Sequence, residues 1–193
     1  MFNRHKLATL LWSRRSPLRE ADAAALIEFA VSLPLLVVLV VGIFDFGGAF
    51  NLKQELNNAA REGARFAAAQ PSNDLGLPGP PPSISAVRFV VDSYLVTAGI
   101  NDCGLNAAHY ALAGSYTWVF NASGNGCSMT LRINRANPVQ ETIGGATVNI
   151  LCTTVNISYP YQWHFNNVIQ LLAPSANYNL GNIPADATAV NMD

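Results

Sequence analysis

Residues 23–44 read AAALIEFAVSLPLLVVLVVGIF, with Glu28 as the one charged residue among them. As an α-helix this segment is roughly 33 Å long at 1.5 Å per residue, enough to cross a hydrocarbon core of about 30 Å. Arg4, Lys6, Arg14, Arg15 and Arg19 all precede it. Positive charge on the N-terminal flank predicts residues 1–22 as a cytoplasmic basic leader, residues 23–44 as a transmembrane helix, and everything after Asp45 outside the cytoplasm. Two other readings fit part of the pattern. A secretory signal peptide shares the basic start and apolar middle, with Gly47-Gly48-Ala49 as a small-residue cleavage site, but the apolar run is long for such a peptide and helical patterning continues past the cut. A buried core helix would need more chain than remains to wrap it.

Working outward, the helix does not stop at the membrane. Ala49, Leu52, Leu56, Ala59, Gly63 and Phe66 recur at alternating steps of three and four, which puts them on one helical face. Lys53, Gln54, Asn58, Arg61 and Arg65 fall on the other side. Residues 45–70 therefore read as an extracytoplasmic extension of the same rod, ended at Gln70-Pro71 because proline disfavours helical geometry in the residue before it. Its seam of small residues suits close packing, either on a neighbouring helix or on the chain's own head. Pro34, inside the apolar run, predicts a kink that a membrane helix tolerates.

Half of the 193 residues are apolar and 12% are charged, against about a quarter charged in soluble domains. Beyond Ser72 the only basic residues are Arg88, Arg132 and Arg135, and lysine occurs only as Lys6 and Lys53. With no basic stripe to neutralise a row of phosphates, nucleic acid is excluded as a partner.

Residues 71–83, PSNDLGLPGPPPS, read as a Pro/Gly linker. Residues 84–193 then form a small α+β head. Ser83 is placed to cap a helix whose Ile84, Val87, Val91, Tyr94 and Ala98 share a face and whose stop is Gly99. Tyr116, Trp118 and Phe120 alternate as in a strand, and Cys127, Met129, Leu131 and Ile133 alternate again after the turn at residues 121–126. A loop through Pro138 and Gly144-Gly145 leads to the longest strand, 147–159. Its apolar phase shifts between Val148/Ile150 and Val155/Ile157/Tyr159, predicting a bulge near Thr153. A short helix around 168–172 and a weak strand at 187–192 complete the reading. The fold class is α+β: a long N-terminal helix extending into a head in which a helix packs on an antiparallel sheet.

Cys103, Cys127 and Cys152 allow one intramolecular disulfide, and an exported head makes oxidation reasonable. If strands 127–135 and 146–159 form a hairpin, Cys127 and Cys152 face each other; Cys103–Cys127, tying the helix exit to the sheet, is the alternative. No cysteine pair has zinc-ligand spacing, and His109 and His164 stand apart among aromatics. G-x-S-x-G, H-E-x-x-H and phosphate-cradling glycine loops do not occur, so the sequence points to no enzyme, metal or cofactor. Asn121-Ala122-Ser123 is a formal glycosylation triplet of a kind common by chance.

Several elements in order resemble the TadE-like family of the tight-adherence (Tad/Flp) pilus system: Ile27-Glu28-Phe29-Ala30, Leu33-Pro34, Gly42-Ile43-Phe44-Asp45-Phe46-Gly47 and Ala59-Ala60-Arg61-Glu62-Gly63-Ala64-Arg65. Val155-Asn156-Ile157-Ser158-Tyr159-Pro160-Tyr161 and residues 187–192 resemble that family's C-terminus more weakly; residues 71–145 carry no resemblance. The resemblance implies a pilin-like, non-enzymatic minor pseudopilin, single-pass in the inner membrane. Its implied partners are the lipid bilayer, other pilin or pseudopilin subunits and Tad-type inner-membrane platform proteins, with a prepilin peptidase as processing enzyme. By that analogy the cut falls between Ala23 and Ala24, leaving Glu28 at the fifth mature position before Phe29; the residue preceding the cut is Ala23 where the family usually has Gly. Glu28, costly near an apolar phase, would pair with the new amino group of Ala24 on a neighbouring subunit and set axial register. Otherwise it reaches water at the cytoplasmic interface. A different reading of the whole chain is a membrane-tethered extracytoplasmic binding domain unrelated to pili.

Overall fold

The computed structural model describes residues 17–76, 81–172, 175 and 181–192; most of the basic leader and residues 77–80 of the linker lie outside the described residues. Helix α1, Pro17–Ala68, continues through Pro34 and is about 78 Å long at 1.5 Å per residue. Its two halves live in different surroundings. Up to Phe44 most of its large apolar side chains stand exposed, Leu26, Phe29, Leu35 and Leu39 among them, with Val38 and Val41 half-buried, and this stretch is long and apolar enough to cross a membrane. From Ala49 onward one face sinks into the head: Leu56, Ala59, Ala60, Ala64, Ala67 and Ala68 are all buried, while Gln54, Asn58, Arg61 and Arg65 stay in solvent. The small-residue seam thus completes the chain's own core.

Helix α2, Pro82–Thr97, lies beside α1 and buries Ile84, Val87, Val91 and Leu95. Gly63 lets the two helices meet: a Cβ there would stand 2.7 Å from Val91 Cγ2 and 3.6 Å from Val155 Cγ1. Ser83 is not the N-cap; the helix begins one residue earlier, capped by the extended Pro81. The orphan N–H of Ser83 instead reaches the buried Asp74 carboxylate at 2.8 Å, and its hydroxyl donates to the same group at 3.0 Å. Asp74, near the start of the linker, therefore supplies the carboxylate that a first helical turn favours. Gly99, with φ +71°, follows the helix end as its sequence predicts.

The sheet is a five-stranded antiparallel meander in the order β1-β2-β3-β4-β5: Tyr110–Gly114, Thr117–Gly124, Cys127–Ile143, Ala146–Tyr159 and Ile183–Val190. Its inner face carries Trp118, Phe120, Ala122, Met129, Leu131, Ile133, Val155, Ile157 and Ala185, packed in one cluster with α1 and α2. Tyr116 falls in the β1–β2 turn at φ +56° rather than in a strand, and β1, short and exposed, had no alternation to announce it. The bulge expected near Thr153 exists, but its extra residue is on β3: Asn134 pairs with Thr154 and Asn137 with Cys152, so Arg135 and Ala136 together oppose Thr153. The buried Arg135 donates from there to the Gln70 carbonyl at the end of α1, at 2.8 Å. The segment expected as a loop through Pro138 is strand, and the hairpin turn is at Gly144-Gly145, both at positive φ.

That register corrects the disulfide. A turn at Gly144-Gly145 puts Cys152 opposite Asn137, far along the ladder from Cys127, so Cys127–Cys152 does not form. Cys103 bonds Cys127, with Cα atoms 5.2 Å apart, and Cys152 is a buried free thiol.

Candidate membrane-anchoring and assembly site

Three positions on α1 define the junction between bare rod and head. Asp45 is the only charged residue between Glu28 and Lys53, and it is buried. A carboxylate at the end of an apolar run must be hydrogen-bonded or reach water; here the head reaches down to it. Tyr161 donates its hydroxyl to the Asp45 backbone carbonyl at 3.0 Å and lies 3.2 Å from Oδ1. The Phe165 N–H donates to Oδ2 at 2.8 Å, and His164 Nδ1 lies 3.3 Å from Oδ1. Phe165 is in the first turn of helix α3, His164–Leu172, so Asp45 supplies from another helix the acceptor and negative charge that a helix N-terminus favours.

Gly42 and Gly48 flank Asp45 and make the approach possible. A Cβ at Gly42 would stand 3.3 Å from the Phe165 ring, and one at Gly48 would stand 2.8 Å from the Tyr161 hydroxyl. Phe46 adds ring contacts to Trp163 at 5.4 Å and to Phe165 at 6.4 Å between centroids. Burial first, and then the neighbouring Asp45 carboxylate, push the Tyr161 phenol above its ordinary range, so it remains a donor at physiological pH.

The residues singled out for processing and register lie elsewhere. Ala23, Ala24, Glu28 and Phe29 are all exposed on the lower part of α1, with Glu28 about 25 Å along the axis from Asp45. Among the described residues, none of the head hydrogen-bonds to them. Among the described residues no cluster of His, Cys, Asp and Glu suits a metal ion. The contact network of Asp45 escaped the sequence reading because Tyr161 and Asp45 are 116 positions apart. Two signals pointed to it: a lone carboxylate closing an apolar run, and the aromatic density of residues 159–165, YPYQWHF.

The chain thus joins a helix long and apolar enough to cross a membrane to an extension of the same helix that completes an α+β head. Residues 23–65 match the family model of the TadE-like proteins, in agreement with the elements that carry the resemblance in the sequence. The match spans bare rod, Asp45 and buried seam alike. No curated protein and no solved structure matches the chain significantly.

Proposed function

We propose that the chain is a non-enzymatic, pseudopilin-like subunit of a Tad/Flp-type pilus-assembly or related secretion apparatus. It sits in the inner membrane with its N-terminus cytoplasmic and its head outside. The observation that carries this reading is the division of α1: residues 49–68 bury one face in the head, whereas Leu26, Phe29, Leu35, Leu36 and Leu39 stand exposed and, among the described residues, the head first meets α1 at Gly42. A helix left bare at one end and rigidly held at the other can fix a head relative to neighbouring helices in a membrane. The TadE-like match over this stretch supports the pilus context. Tad-type platform proteins and other pilin or pseudopilin subunits are the partners. A prepilin peptidase acting between Ala23 and Ala24 would release the amino group for which Glu28 is the counter-ion. Deleting the gene in its host tests the function: pilus fibres are lost, and the full chain restores them while a chain lacking residues 1–44 does not. Unchanged piliation in the deletion strain overturns the reading.

One observation favours a second reading, a tethered binding domain. An open cleft of about 760 Å³ lies beside the disulfide, lined by Asn101, Ser123, Asn125, Tyr159 and Gln162 among others. Binding of a surface ligand there by the chain, with piliation unaffected by its loss, would select this reading.

A further inference from the structure

We propose that α3 and the aromatic residues around its N-terminus form a lipid-interface seat, on which the head rests against the outer surface of the bilayer. This rests on the membrane-spanning reading of α1 and adds a second point of contact to it. Depth along α1 supplies the first reason. A hydrocarbon core of about 30 Å measured from Glu28 ends near Gly48, twenty residues on at 1.5 Å each. Asp45 and Phe46 therefore lie about 3–5 Å inside the outer boundary of that core and Gly42 about 9 Å inside it, and α3, held by these positions, begins at the level of Asp45.

Chemistry at that level supplies the second. The segment from Tyr161 through α3 carries no Asp, Glu, Lys or Arg, which removes the desolvation penalty that would keep it in water. Phe165, Val168 and Ile169 recur at i, i+3 and i+4 as a half-buried apolar face that starts against Gly42 and Phe46 of α1, while the uncharged polar Asn167 and Gln170 stay exposed, the two-sided pattern of a helix lying at an interface. At this level of α1, Phe44, Phe46 and Phe50 are 77%, 55% and 66% exposed, with Trp163 half-buried between Phe46 and Tyr161. Three exposed phenylalanines within seven residues are an aggregation hazard in water but match the aromatic collar of a membrane–water interface. The Asp45 contacts belong to the same arrangement: a carboxylate at this depth has little water to turn to, and its acceptors are filled by the head itself.

The occupant is the headgroup and glycerol region of a phospholipid layer. Because the segment from Tyr161 through α3 carries no lysine or arginine, its engagement depends on aromatic and apolar insertion and not on anionic lipid. The test reconstitutes the full chain into phosphatidylcholine vesicles and compares wild type with Trp163→Phe; the difference isolates the emission of Trp163 without altering the core Trp118. Bromine placed near the headgroup end of the acyl chains should quench this emission about two-fold more than bromine near the chain ends, with little quenching by aqueous iodide. Emission quenched by iodide and not by bromolipid, in a chain that floats with the vesicles, overturns the seat and leaves the span intact. A chain that does not float overturns both.

Discussion

The Tyr161 hydroxyl sits 3.0 Å from the backbone carbonyl of Asp45, so the chain segment entering α3 is fastened to the point where α1 leaves its apolar run. The Phe165 N–H, bonded to the same residue's carboxylate, makes this a two-point attachment. Asp45→Ala removes the carboxylate and leaves a helix N-terminus uncapped, a loss of about 1–3 kcal/mol. The amides of α3 should lose hydrogen-exchange protection in the membrane-reconstituted chain while those of β2 and β3 keep theirs. Gly48→Ala, whose Cβ would crowd the Tyr161 hydroxyl at 2.8 Å, should act in the same direction. Unchanged α3 protection in both variants would show that α3 is held by something else.

Glycines in one helix should respond oppositely to alanine. At Gly63 the new methyl would press on the fully buried Val91, 2.7 Å away, and Gly63→Ala should cost about 1–3 kcal/mol through overpacking. At Gly47 nothing lies within 4 Å, and Gly47→Ala should be neutral or stabilising by up to about 1 kcal/mol from helix propensity. Thermal melts of the two variants check the pair; equal shifts would contradict the close approach of α1 and α2.

The disulfide prediction separates the three cysteines. Cys103→Ser with Cys127→Ser removes a bond closing 24 residues of sequence separation and should cost about 3 kcal/mol. Cys152→Ser should leave that bond intact. In the folded chain the Cys152 thiol is buried, and burial first, with Glu141 second, raises its pKa, so it should resist maleimide until the protein unfolds. Rapid labelling of the native oxidised chain would refute this placement.

What the sequence made legible followed rules that act along the chain. The span, the basic flank and the three-and-four spacing of Leu56, Ala59 and Gly63 need no knowledge of distant partners, and α1 follows them to Ala68. The alternation in residues 127–133 and 155–159 likewise marked the buried face of the sheet. Register was lost where a local rule was over-read. Pro138 disfavours the interior of a sheet, yet it sits in the projecting β3–β4 ribbon, beyond the last β2–β3 pair at Thr117–Asn134. There a missing N–H goes unneeded on the open edge. Counting the hairpin from Gly144-Gly145 would have moved Cys152 away from Cys127. The Asp74 contact to Ser83 and the Asp45 contacts are side-chain meetings across loops, which no periodicity encodes.

Asp92 gives the head a pH dependence of definite sign. Burial on α2 is the main cause that raises its pKa from 3.8, followed by the hydrogen bond and charge of Asp102, with Arg88 opposing. A carboxyl that holds its proton more tightly in the folded state favours folding while protonated. Stability should therefore fall as pH rises from the ordinary carboxylate range through the raised value, and stay lower above it. Asp92→Asn should flatten that segment and raise Tm at neutral pH. A lower Tm at neutral pH would mean that the charged form is needed by its neighbours.

Assembly of the exposed half of α1 with other pilus subunits can be read by in-cell photo-cross-linking from an exposed position such as Leu35 or Leu39. The wild-type chain should capture a pilin, pseudopilin or Tad-type platform protein. Glu28→Ala should insert as well as wild type, since loss of a charge favours the bilayer, yet lose those cross-links because the neighbour's buried amine loses its counter-ion. A wild-type chain that inserts normally and is cross-linked only to lipid would contradict the account.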